Sequence, residues 1–127
     1  MRAKRWVKRA QSECQVRQWK DLKSHLLNAQ DPSSKILTMT TVELPANKKL
    51  SSIRHTRTHE WIYVVKGSAL AILDNKRITL KPGDYLYLPP RVWHSFRSRS
   101  EGLLALSLYL PGFNWQKPDV QIQQALR

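Results

Sequence analysis

The chain has 127 residues, 41% of them hydrophobic, and carries a formal charge of +13 from 22 Lys and Arg against 9 Asp and Glu. That length suits one domain with one core and leaves no room for a second. No apolar run approaches membrane-spanning length, and the single cysteine, Cys14, excludes an internal disulfide or a thiolate zinc cage.

Residues 1–30 hold eight Lys and Arg but only two acids. The start is as basic as a signal peptide's, yet Trp6-Val7 is followed at once by Lys8-Arg9. With no apolar h-region, secretion by that route is not expected; an amphipathic organelle transit peptide stays open. A lone thiol fits a reducing, cytoplasmic compartment, and nothing near Cys14 marks it as a nucleophile. The rest of the charge is spread over residues 31–127. There is no zinc-finger spacing, RNA-recognition aromatic motif or basic zipper. The charge therefore reads first as solubility and general electrostatics, with nucleic-acid binding second.

Taken in order, residues 1–34 form a basic arm and lead-in segment, with a short helix or strand near Arg17–Leu27 and an Asn/Asp/Pro/Ser-rich loop at 28–34. From Lys35 the pattern is β. Ile36–Leu44, Leu50–His55 and Glu60–Lys66 read as strands, and Gly67 ends the third and turns into a hairpin partner, Ser68–Leu73. Asp74-Asn75 is a turn pair before Arg77–Leu80, and Lys81-Pro82-Gly83-Asp84 a tight turn before Tyr85–Leu88. Trp93–Ser98 and Leu103–Leu110 complete the set, with Leu104, Leu106, Leu108 and Leu110 on one face. A tail over residues 113–127 reads as irregular. Short strands with frequent turns and almost no helix define an all-β barrel or sandwich over residues 35–112.

Strand alternation puts His55 with Ile53 and Arg57, Glu60 with Ile62 and Val64, and His94 with Val92 and Phe96. If each set faces inward, His55, Glu60 and His94 converge inside an apolar barrel. Two imidazoles and a carboxylate can hold a divalent first-row metal and leave positions open. The competing reading pairs Glu60 with Arg54 or Arg57 and leaves the histidines as rim residues.

The stretch 47–98 resembles the two motifs of the cupin superfamily. Asn47 stands at the first motif's leading Gly; His55, Glu60 and Gly67 follow at the family's second His, Glu and closing Gly. Gly83, Pro89 and His94 fall in register with the second motif, with fifteen residues between Gly67 and Gly83. Three positions depart: Ile53 replaces the first metal-binding His, Arg91 a Gly, and Ser98 the final Asn. The resemblance implies a double-stranded β-helix (jelly-roll) barrel with a divalent iron, manganese, nickel or zinc ion on His55, Glu60 and His94. It also implies a small oxygenated molecule bound nearby, with or without catalysis. Arg57 and His59 are candidates for orientation or acid–base work, and His59 for the missing ligand if a bulge turns it inward. A metal-free binding or sensing module is the alternative, although no helix-turn-helix precedes the barrel.

Trp61, Tyr63 and Val65 alternate with the inward set, and Trp93 points outward beside His94. So apolar an outer face needs cover. The cover is the N-terminal segment with Trp6 and Trp19, the tail with Phe113 and Trp115, or a second subunit; cupins commonly dimerise through sheet faces, which implies a homodimer.

Overall fold

The computed structural model describes residues 6–124, so the first five residues of the expected basic arm and the last three of the tail lie outside it. After a short 3-10 turn at Gln11–Glu13, the described residues form nine strands. They are β1 (Gln15–Trp19), β2 (Leu22–Leu26), β3 (Thr38–Leu44), β4 (Ile53–His55), β5 (His59–Leu73), β6 (Lys76–Leu80), β7 (Tyr85–Leu88), β8 (His94–Leu110) and β9 (Val120–Ile122). One path runs β1-β2-β3-β8-β4-β9, while β5 pairs with β6, β7 and β8. The expected all-β jelly-roll barrel is the fold formed.

Two strands are longer than their sequence suggests. Gly67 does not end a strand: β5 runs through it, and β8 likewise runs through Gly102. Across the β5–β8 ladder the register shifts between Val64 and Lys66 and again between Gly67 and Ala69. Gly67 and Gly102 both have left-handed backbones, with φ of +76° and +72°. A Cβ on Gly67 would overlap the Gly102 carbonyl oxygen, and one on Gly102 would come within 2.8 Å of the Leu44 oxygen. Only two glycines permit so close a crossing. Each long strand bends there and serves both halves of the barrel. Near the bend the first half of β5 pairs with β7 and its second half with β6.

Two motif positions that usually carry glycine keep the backbone but not the residue. Asn47 and Arg91 have φ of +57° and +72°. Asn enters this region readily, whereas Arg there costs roughly 1–2 kcal/mol. The Arg91 N–H is held by the His55 carbonyl at 2.7 Å. Ser98, at the motif's final Asn, is 1% exposed. Its hydroxyl accepts from Lys48 N at 3.0 Å and donates to the Pro45 carbonyl, tying β8 to the turn before β4.

The core splits into Val42, Ile62, Leu88 and Ala105 on one side and Val64, Ala71 and Leu80 on the other. Along β8 the inward positions are Leu103, Ala105, Ser107 and Tyr109, so the leucine stripe 104–110 faces out. Small inward residues leave the interior hollow. The lead-in region near Arg17–Leu27 is a hairpin, β1–β2, that extends the sheet through β3. The tail is not wholly irregular either, because β9 pairs with β4 at Ile53, Arg54 and His55.

The Gly67 crossing yields a direct test. Gly67→Ala should cost about 3 kcal/mol, from the left-handed backbone and the overlap together. Chemical denaturation of the purified variant measures it.

Candidate metal centre and ligand pocket

His55 ends β4, Glu60 is the second residue of β5, and His94 opens β8. All three are buried, between 4% and 5% exposed. Glu60 Oε1 lies 3.4 Å from His55 Nε2 and 3.8 Å from His94 Nε2. One ligand atom from each falls within 4.8 Å of the other two. The imidazoles are near-parallel, with centroids 5.7 Å apart.

The far sides of the rings decide what the near sides offer. His94 Nδ1 is 3.0 Å from the Val92 carbonyl. A carbonyl only accepts, so Nδ1 carries the proton and Nε2 presents a lone pair. His55 Nδ1 has no hydrogen-bond partner and faces Asp119 Oδ1 at 3.7 Å. A carboxylate on that side favours the same tautomer and ring orientation. Two imidazole lone pairs and a carboxylate oxygen thus converge on one point: three acceptors with no donor among them. Such a buried set is costly unless a cation or a proton enters it. The donors and their spacing fit a divalent first-row metal.

Burial pushes the His94 pKa below its usual value, against the opposing pull of Glu60 and the Val92 hydrogen bond. Its imidazole is neutral at neutral pH, the form that ligates. Tyr109, on the inward face of β8, is raised well above the ordinary tyrosine range by burial and then by the Glu60 charge. It stays a neutral phenol and hydrogen-bond donor.

A cavity of about 470 Å³ opens over these residues. Its walls are apolar, including Val42, Ile62, Leu80 and Leu103. Its mouth is framed by β1 with Arg17 and Trp19 and by the tail with Phe113 and Trp115. These aromatics therefore line the pocket and do not cover the outer face of β5. Ile53 lies in the wall where the resemblance expects a further histidine.

Two expected participants lie elsewhere. His59 falls on the outer face, Nδ1 2.7 Å from the Tyr87 hydroxyl and stacked with Trp61 and Tyr87. No bulge separates it from Glu60, so simple alternation turns it away. Arg57 is exposed and outside the pocket lining; it contributes its backbone N–H to Asp119 Oδ2 at 2.8 Å. Nor do Arg54 or Arg57 pair with Glu60: Arg54 stacks over Trp93 at 4.5 Å and bonds Gln121. Asp119 and Tyr109 were not anticipated. Asp119 comes from a segment without strand alternation, and Tyr109 is hidden among the leucines of β8.

A family model for the cupin domain matches residues 40–109. The chain belongs to the cupin family. The uncharacterized protein MJ1618 of Methanocaldococcus jannaschii is 31% identical over 55 residues, 43% of this chain and 44% of that protein, so the match spans under half of the relative. Among solved structures, Streptomyces Pac13 in complex with uridine has a TM-score of 0.78 at 16% identity, covering 96% of this chain and 94% of its own. Pac13 is described as a nucleoside dehydratase. KdgF from Halomonas sp. gives a TM-score of 0.66 at 18% identity, covering 77% and 86%. Oxalate decarboxylase from Bacillus subtilis gives 0.73 at 21% identity, covering 87% of this chain but 30% of that enzyme. At these identities the likeness is one of fold.

Asp119 accepts from Arg57 N, Thr58 N and Thr58 Oγ1 at 2.8–2.9 Å. Burial raises its pKa, but these hydrogen bonds and His55 outweigh that and hold it below its ordinary value. A depressed carboxylate stabilises the fold above its unfolded pKa, and that contribution is lost as pH falls through the folded pKa. Asp119→Asn should therefore be about 2 kcal/mol less stable at pH 7. Thermal denaturation of both proteins towards pH 3 should show the gap closing.

Proposed function

We propose that this cupin holds a divalent first-row metal on His55, Glu60 and His94 and takes a small oxygenated molecule into the barrel beside it. The observation that carries the reading is the convergence of three acceptors, each histidine presenting Nε2, with no chain cation among them. Neutral imidazole and carboxylate ligands suit iron, manganese, nickel or zinc. Such an ion, when bound, polarises a carbonyl or activates water. The chain's own residues set the surroundings. Tyr109 offers a neutral hydroxyl, the apolar walls exclude water, and Ile53 supplies no donor. Uridine in Pac13 supports a small oxygenated ligand within a barrel of this shape.

A metal-free reading has one observation in its favour. Ile53 lines the pocket in place of a fourth ligand, and a proton between Glu60 and His55, 3.4 Å apart, would also relieve the acceptor convergence. A single experiment separates the two. Metal analysis of tag-free, dialysed protein should find close to one ion per chain, falling at least tenfold in His55→Ala and His94→Ala. Trace metal that ignores both substitutions would leave the metal-free site.

The outer face supports a homodimer. Tyr63, Val65 and Tyr85 are 47%, 51% and 63% exposed, and the tail aromatics that were alternative cover line the pocket mouth. A second copy is the occupant we favour, since apolar sheet faces are self-complementary under twofold symmetry. Light scattering should give twice the chain mass for the wild type and the chain mass for Tyr63→Asp. A monomeric wild type would contradict this.

A further inference from the structure

We propose that the pocket mouth binds an anionic group carried by a planar-ring ligand, with Arg17 and Lys20 as its recognition residues. The inference rests on the reading that the barrel takes a small molecule, and it specifies that molecule's outer end.

The β1–β2 hairpin builds the rim. Arg17 is the register partner of Ser24, and both line the pocket. Lys20 occupies the tight turn with φ +53°, where the Gln18 side chain caps its carbonyl at 2.8 Å. Each cation lies against a rim tryptophan. The Arg17 guanidinium carbon is 5.7 Å from the Trp115 ring centre, and Lys20 Nζ is 5.5 Å from that of Trp19. Lys20 Nζ also donates to the Ser51 hydroxyl at 2.7 Å, and Ser51 lines the same mouth.

Stacking uses the face of a guanidinium and leaves its N–H edge free for an oxyanion. Lys20 spends one of three donors on Ser51. Among the described residues, Arg17 is the only Lys or Arg in the pocket lining, and neither cation is ion-paired with an acid. Glu60 faces the histidines, Asp119 is engaged by Arg57 and Thr58, and Asp21 in the same turn does not line the pocket. Two cations without acidic partners thus border a mouth walled by Trp19, Trp115 and Phe113, the last two edge to face at 4.7 Å. Flat aromatic walls suit a ring, and the cations suit a phosphate or carboxylate attached to it.

Calorimetric titration with two matched pairs tests this: uridine 5′-monophosphate against uridine, and benzoate against benzyl alcohol. In low salt the anion of at least one pair should bind about tenfold tighter than its neutral partner, and added NaCl should narrow the gap. Arg17→Gln with Lys20→Gln, both exposed positions, should erase the preference, so that each anion binds no tighter than its neutral partner. Preference in the benzoate pair alone would retain the anion site and exclude a nucleotide source. Neutral ligands binding with no preference for the anion would overturn the proposal while leaving the pocket reading intact. A preference that survives the double variant, or no binding by any of the four, would also overturn it.

Discussion

Everything in this barrel depends on the crossing of two backbones at Gly67 and Gly102. Neither position has room for a side chain, and both need a left-handed backbone. Because β5 and β8 bend together there, with the ladder shifting register on either side of Gly67, their outer segments join opposite halves of the barrel. The bend leaves Glu60 at the start of β5 and His94 at the start of β8, on strands that carry the same interior. β4 then brings His55 alongside through the pairing of Ile53 with His94. A local packing constraint between two glycines thereby sets the relative placement of three side chains distant in sequence.

The interior reflects a second economy of size. Ala69, Ala71, Ala105 and Thr40 are fully buried, and Ser107 nearly so. A tightly packed interior would interdigitate larger residues at such positions. Small inward residues opposite an outward leucine stripe leave space at the centre and move hydrophobic mass to the outside. The pocket and the exposed outer face are two consequences of one strand pattern. The metal-type site then occupies the polar point of an otherwise apolar chamber, where acceptors facing one another cannot be relieved by bulk water.

What the sequence made legible follows from these causes. Alternation within single strands sorted His55, Glu60 and His94 to one side and Trp61 and Tyr63 to the other, since face assignment needs only a period of two. His59 failed as an inward residue for the same reason. In sequence β5 reads as a hairpin and β8 as two separate strands, because glycine signals both a turn and a close crossing, and only the partner strand distinguishes them. Asp119 was invisible: its bond to Arg57 spans 62 residues, and a lone Asp after Pro118 has no periodicity to place it. The same holds for Trp19 and Trp115, whose aromatic character was plain but whose shared rim arises from the meeting of hairpin and tail. Composition showed the chain to be basic; it could not place Arg17 and Lys20 at an opening.

The central claim is that His55 and His94 each keep a proton on Nδ1 and present Nε2 to Glu60 as a ligand set. Long-range proton–nitrogen correlation NMR on uniformly labelled protein, followed through a zinc titration, tests it most directly. Both Nε2 resonances should move to metal-bound positions together, while both Nδ1 atoms remain protonated and the His59 ring is unchanged. A protonated Nε2 on either histidine that persists at saturating zinc would contradict it.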